Sequence, residues 1–348
     1  MRNRNQSISA LGFIVIVLLT LQTRADSPNP ILKSEFIAEE MPTPSCHAST
    51  IAESGDTLLC AWFGGKSEGD PSVGIWLSQY DGKTWSKPRE VATGQSDEKR
   101  YPCWNPVLFQ PAHGPLFLFY KVGPSPSKWW GMKMTSKDNG QSWSTPEKLP
   151  EGFLGPIKNK PIELSTGAIL CPSSTENNGW QLQIESSTDL GQTWSKTAPL
   201  NDGKKFGAIQ PSLLKLQDNT LALVCRSRQG KILTAKSKDA GQSWTELEPL
   251  DLPNPNSGID AVTLSDGRHV LVYNNTPSAR TPLNVAISSD AKTWKNVLTL
   301  ESTPGEFSYP AVIQTKDGKI HIAYTWKRQK IKHVVLDPKL LDNEPGAP

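Results

Sequence analysis

Along most of this chain the apolar residues come in short runs separated by turn residues, and neither a long helical stripe nor a heptad appears. One stretch shows the frame: "PSLLKL", "TLALVC", "KILTAKS" and "ELEPL" follow one another between residues 211 and 250, with "QDN" after the first run and "SKDAGQSW" after the third. Runs of this length, rich in β-branched and aliphatic residues and bounded by Gly, Asp and Asn, predict four successive antiparallel strands. The phrase after the third run recurs. Aligned on their tryptophans, its copies fall at Trp85, Trp143, Trp194, Trp244 and Trp294, in steps of 58, 51, 50 and 50 residues. A β-rich repeat with a period near 50 is the signature of propeller blades.

Three copies are complete: Ser136/Asp138/Gly140/Trp143, Ser187/Asp189/Gly191/Trp194 and Ser237/Asp239/Gly241/Trp244. The first, "SQYDGKTW", displaces the acid to Asp81, and the last, "SSDAKTW", lacks the glycine. The phrase reads as a hairpin turn in which Asp caps backbone N–H groups, Gly takes a positive φ and Trp packs the turn onto its own sheet. A calcium loop needs more oxygen ligands than it offers. Five phrases account for five blades. At the C-terminus "PAVIQT", "KIHIAYTW" and "KHVVLD" make a sixth blade short of its fourth strand, which "ILKSEFIA" near the N-terminus supplies. The prediction is an all-β, six-bladed β-propeller of four-stranded blades, closed by N-terminal strand pairing with the C-terminal blade so that no sheet edge stays free.

The propeller frame sorts the polar residues. A residue opens each innermost strand: His47, Asn105, Lys160, Gln210, Asp260 and Tyr309. Innermost strands line the central channel in one direction, so these six form a ring at one mouth. Loops joining second and third strands lie on the same face, which brings Asp70, Lys121, Trp129, Trp130, Arg226, Arg228, Arg280 and Arg328 around the opening. Guanidinium forks grip carboxylates bidentately and aromatic faces stack on sugar rings, so the mouth suits an acidic sugar.

The remaining composition narrows the class. Residues 1–25 begin with Arg2 and Arg4, continue through an apolar run from Ala10 to Leu21 and end on small residues at Thr23 and Ala25, which predicts a secretory signal peptide and export to the periplasm or beyond, with residues 26–348 as one domain. The run is too short for a membrane span. Removing the three arginines of that segment from the 37 basic residues leaves 34 against 34 acidic ones, so the mature chain is near neutral and carries no nucleic-acid footprint. Five cysteines without close pairs, three of them in apolar runs, read as buried free thiols; no metal site and no cofactor motif is implied.

With its repeated Asp boxes and these mouth residues, the chain resembles the sialidases over essentially the whole mature sequence. The resemblance implies an exo-glycoside hydrolase acting on sialic acid or another carboxylated sugar. It implies that Asp70, in "GGKSEGDPS", is the acid/base, that Tyr309, in "FSYPAVIQ", is the nucleophile, and that Arg226, in "LVCRSRQG", and Arg280, in "NNTPSARTP", are the second and third carboxylate-binding arginines. Two positions depart from the pattern. His47 in "CHASTI" stands where the family has its first arginine, and Gln210 stands where the family has the glutamate that activates the tyrosine. A phenol near pKa 10 needs a base to become a nucleophile, and Gln210 cannot accept its proton. Asp260 and His47 are the candidate substitutes. Asn105, Lys160, Lys121 and Arg328 are further substrate-lining candidates. His47 also opens a second reading, a uronate-directed hydrolase or lyase with imidazole as proton carrier. The non-catalytic alternatives are a carbohydrate-binding propeller and a scaffold for protein partners.

Overall fold

The computed structural model describes residues 29–341, apart from 97, 98 and 219; the predicted signal segment lies outside the described residues. The first strand, β1 (Ile31–Phe36), belongs to the last blade. Blade 1 holds β2 (Ser45–Ser54), β3 (Thr57–Gly65), β4 (Gly74–Tyr80) and β5 (Arg89–Ala92); blade 2 holds β6 (Cys103–Phe109), β7 (Leu116–Val122), β8 (Trp130–Ser136) and β9 (Glu147–Lys148). Blade 3 follows with β10 (Ile162–Glu163), β11 (Ile169–Thr175), β12 (Gln181–Ser187) and β13 (Ser195–Lys196), and blade 4 with β14 (Ala208–Lys215), β15 (Leu221–Ser227), β16 (Lys231–Ser237) and β17 (Glu248–Pro253). Blade 5 comprises β18 (Asp260–Thr263), β19 (His269–Tyr273), β20 (Leu283–Ser288) and β21 (Lys295–Glu301), and blade 6 comprises β22 (Phe307–Gln314), β23 (Ile320–Trp326), β24 (Lys330–Leu336) and β1. Each is an antiparallel four-stranded sheet, as the repeat predicts. Among the described residues no helix is long and apolar enough to cross a membrane. The five cysteines are buried and unpaired.

The core lies between blades rather than within one. Leu59 and Leu77 of blade 1 meet Leu118, Tyr120 and Met134 of blade 2, and comparable clusters fill the other boundaries. The repeated phrase takes part in this packing. Asp138 accepts from the Ser136 hydroxyl at 2.7 Å and from the Ser142 N–H at 2.9 Å, and Asp189 and Asp239 repeat the pattern. Gly140 has φ +83, and a methyl there would collide with Leu59 of the preceding blade; at Gly241 it would meet Leu170 at 2.8 Å. Trp194 packs edge-on against Phe119 of blade 2, 6.1 Å between centroids. The box is therefore a joint to the preceding blade, where the sequence suggested a turn folded onto its own sheet.

The ring closes through β1, which pairs antiparallel with β24 and sets Glu35 opposite His333. Glu35 accepts from the Trp85 indole of blade 1 at 3.1 Å, pairs with Lys33 at 2.8 Å and lies 3.1 Å from His333, which stands 2.9 Å from His321. Burial resists the charge on Glu35, but His333 and Lys33 hold its carboxyl at about 2, while burial and the facing His333 push His321 down to about 4. A group depressed in the folded state favours folding above its unfolded pKa and loses that contribution as pH falls toward the folded value. We therefore expect thermal stability to drop as pH is lowered from about 6.5 to 4, where His321 must charge, and further toward 2, where Glu35 must be protonated. Glu35→Ala, which strands the Trp85 N–H and His333, should cost roughly 1–3 kcal/mol in a urea melt at pH 7.

Candidate active site

The innermost strands do not run straight at the mouth. β2, β6, β14 and β22 each skip two residues in pairing with their neighbours, after His47, Trp104, Ile209 and Ser308. The first residue of each bulge is left-handed: Ala48 (φ 56), Asn105 (φ 33), Gln210 (φ 56) and Tyr309 (φ 52). Non-glycine residues pay on the order of 1 kcal/mol for this conformation, and such bulges re-aim side chains out of the ladder. Three of these bulges continue into proline, which needs no ladder partner for a backbone N–H. The register also corrects the phase of the first repeat. The residue equivalent to Gln210 and Tyr309 is Ala48, not His47, which precedes the bulge; the alternation that "CHASTI" suggests slips by one because the bulge in β2 comes one residue later.

His47 nevertheless belongs to the cluster. Its ring stands 4.1 Å from that of Tyr309, tilted by 47°. Nδ1 lies 3.0 Å from the Thr325 hydroxyl, and buried Nε2 has no partner among the described residues. Burial first, and then the charges of Arg328, Arg280, Arg226 and Lys158, push the imidazole well below its usual value, so it is neutral. The Tyr309 hydroxyl oxygen accepts from Arg226 at 2.7 Å and from the Gln210 amide at 3.3 Å, while Gln210 Oε1 accepts from the same Arg226 at 3.2 Å. Arg226 is 7 % exposed and donates its Nε–H to Asn256 at 2.9 Å. Arg280 lies over the Tyr309 ring, 5.6 Å from its centroid.

Glu306, which no sequence pattern marks, organises the outer guanidiniums. Its Oε1 accepts from Arg280 at 2.7 Å, from Arg328 at 2.9 Å and from the Ser308 hydroxyl at 3.0 Å. Burial opposes its charge, but Arg280 and Arg328 keep the carboxyl below its ordinary value. Arg328, itself left-handed (φ 59), also pairs with Glu68 in the loop that carries Asp70. That loop joins β3 to β4, and Gly69 faces the Trp104 indole at the mouth. The Asp70 carboxylate accepts from the Ser72 N–H at 2.8 Å, and the hydrogen bonds from Ser72 hold it below the usual carboxylate range.

Beneath Tyr309 sits a second cation that sequence reasoning missed. Lys158 is buried and donates to Asn159 Oδ1 at 2.8 Å, to the Ile259 carbonyl at 2.9 Å and to the Pro310 carbonyl. Burial, helped by Lys160 and Arg226 and opposed by Asp260, brings it down to about 7. Gly258 makes room for it, since a methyl there would press on Tyr309 at 3.1 Å and on Lys158 at 3.3 Å. The only sequence signal for Lys158 is a lysine two residues before the ring position Lys160.

The other sequence candidates have structural partners. Asp260 accepts from Ser212 at 2.5 Å, from the Val312 and Ala261 N–H groups at 2.8 and 2.9 Å, and from Lys160 at 3.0 Å, tying blades 3, 4, 5 and 6 together below the mouth. None of these bonds reaches Tyr309. Lys121 is enclosed rather than lining the opening: burial lowers it to about 7, and its ammonium donates to the Pro156 and Ile157 carbonyls. Asn105 is buried at its bulge. Glu176 was also missed. It lies where a groove of about 380 Å³ between the loops of blades 2 and 3 reaches the mouth, and burial raises its carboxyl against the pull of Arg226 and Arg228.

A model of the BNR repeat-like domain matches residues 56–322. The chain belongs to the BNR repeat-like domain family. This BNR chain is 23 % identical to an anhydrosialidase from Macrobdella decora over 257 residues, 62 % of its own length and 32 % of the relative's, so it spans about a third of that curated protein. Its fold matches a sialidase from Streptococcus pneumoniae (TM-score 0.73, 15 % identity, 90 % of this chain and 71 % of the other). It also matches an intramolecular trans-sialidase from Ruminococcus gnavus (0.72, 14 %, 91 % and 99 %) and a protein of unknown function from Dyadobacter fermentans (0.74, 17 %, 88 % and 98 %).

The network around Asp260 makes a direct prediction. Asp260→Asn removes the partner of Lys160 and one acceptor of a strand N–H, and should lower stability by roughly 3 kcal/mol, read as a shift of the denaturation midpoint. Turnover per folded molecule should persist, as befits a residue that ties strands together.

Proposed function

We propose that this protein is an exo-glycoside hydrolase of the sialidase type, acting on a terminal sugar that carries a carboxylate. The observation that supports this best is Tyr309: a tyrosine at the channel mouth whose hydroxyl oxygen accepts from Arg226 and Gln210, with Arg280 over its ring and Arg328 one carboxylate away. In this reading Arg226, Arg280 and Arg328 receive the sugar carboxylate, Arg328 standing in for the arginine that His47 replaces. The substrate carboxylate would share or displace Glu306, whose position already shows how a carboxylate fits between two of the guanidiniums.

The Tyr309 oxygen attacks the anomeric carbon and its proton leaves. Gln210 is a donor to that oxygen, and Asp260 is committed elsewhere, so His47 is the remaining acceptor in contact with the tyrosine. Asp70 gives a proton to the departing glycosidic oxygen, which leaves with it; water then attacks the glycosyl-tyrosine and gives Asp70 a new proton, and the departing phenolate, held by Arg226 and Gln210, takes back the proton kept on His47. Bound sugar over the Asp70 loop excludes water from its carboxyl and raises it toward the acid form. His47 also supports a second reading, proton transfer on a uronate-containing glycan.

Release of sugar acid from a panel of sialosides and uronate-containing glycans tests both readings. Sialic acid release that falls roughly a thousandfold in Tyr309→Phe and about 10²- to 10⁴-fold in His47→Ala is the expected result. Uronate release that survives Tyr309→Phe but not His47→Ala would select the second reading, and binding without release would leave a lectin. The pH profile is a separate check. His47 is pushed down and stays neutral below pH 6.5, and a protonated Asp70 becomes commoner as pH falls, so kcat/KM should be greatest on the acid side of 6.5. A maximum above pH 7 would remove Asp70 as the acid.

A further inference from the structure

Arg226 and Arg228 lean on the same indole, that of Trp180, with guanidinium carbons 5.0 and 4.1 Å from its centroid. Their surroundings differ. Arg226 is buried and spends its donors on Asn256, Gln210 and Tyr309. Arg228 is exposed, and among the described residues its guanidinium makes no hydrogen bond and no ion pair.

Arg228 is not a loose surface arginine. Its backbone N–H donates to the Gly207 carbonyl at 2.9 Å, and its stem lies across Gly207, where a methyl would come within 3.2 Å of Cδ. The head lies over the ring of Trp180, which is itself buried and fixed by bonds from Asn201 and Ala208 to its carbonyl. Glu176 is the nearby carboxyl. Trp180 and both arginines draw its carboxyl down against burial, and it forms an ion pair with neither arginine. The result is a cation held at stem and face with its N–H edge open, one indole ring away from the arginine that touches Tyr309. A guanidinium so placed loses little freedom on binding, and its open edge has the fork that matches a carboxylate or sulfate.

We propose that Arg228 is a second anion-binding arm of the mouth, selecting glycans that bear a second negative group, carboxylate or sulfate, beside the carboxylate of the terminal sugar. This rests on the acidic-sugar reading and deepens it: the preferred substrate is doubly charged.

The test compares kcat/KM of the full chain on three probes: a monosialyl lactoside, a disialyl lactoside with an α2,8 linkage, and a monosialyl lactoside sulfated on galactose. A preference of about five- to tenfold for a doubly charged probe over the monosialyl one is expected, the size of one well-placed exposed ion pair. That ratio should collapse toward one in Arg228→Gln, survive in part in Arg228→Lys, which keeps the charge and loses the stacked fork, and shrink as salt is raised. Preference for the disialyl probe alone assigns the arm to a carboxylate on the neighbouring sugar, and preference for the sulfated one alone to a sulfate. A wild-type ratio near one, or a ratio that Arg228→Gln leaves in place, overturns the proposal while the acidic-sugar reading stands. Neither release nor calorimetric binding of any probe overturns that reading, and this proposal with it.

Discussion

One buried ammonium sets the geometry of the mouth. Lys158 reaches from the segment leading into blade 3 to the carbonyl of Ile259 before β18 and to that of Pro310 in the bulge of β22, so three blades share a single donor. A propeller removes its sheet edges by closing, but the innermost strands then converge, and where they bulge their carbonyls turn away from ladder partners. Buried and unpaired, each would cost about 1–3 kcal/mol. A lysine tail without an acid partner at its tip is an expensive remedy, and burial shows in the lowered ammonium. What it secures is the backbone immediately after Tyr309, and hence the angle at which the phenol meets Arg226 and His47.

Asp260 does the same with opposite sign a layer lower, gathering Ser212, Lys160 and the Val312 N–H. The two together explain why a ring of polar residues at the strand starts is not simply a ring of ligand contacts. Some point up and are free to meet a substrate; others point across the channel and hold it at its diameter.

The blades were legible because their signal is periodic and local: tryptophans about 50 residues apart, a turn that closes on itself, and apolar runs of strand length between. β1 was legible by elimination, as the one strand without a place in a blade missing its fourth. The site was legible only where position along a strand decides it. Gln210 and Tyr309 fall in phase with their neighbours, whereas His47 does not, since nothing in "CHASTI" announces that the bulge follows it. Glu306, Lys158 and Glu176 carry no motif and act through folding, each being brought to its partners by loops of different blades. Lys121 and Asp260 looked like mouth residues because their strands end there, but rotation about a few side-chain bonds turns them inward to backbone groups that sequence cannot display.

The pair between Arg328 and Glu68 joins blade 6, which both ends of the chain build, to blade 1, across the seam between these two blades. The proposed acid stands on one side of that seam and the proposed nucleophile on the other, and the outermost strand of the closing blade is β1. The gap between the proposed acid and the proposed nucleophile is thus spanned by contacts between two blades rather than by any one blade. A tug on the N-terminal strand, or a protease cut behind it, acts first on β24 and on the Glu35 contact to Trp85 of blade 1, so the chain's beginning helps to hold the two blades that carry the proposed acid and the proposed nucleophile.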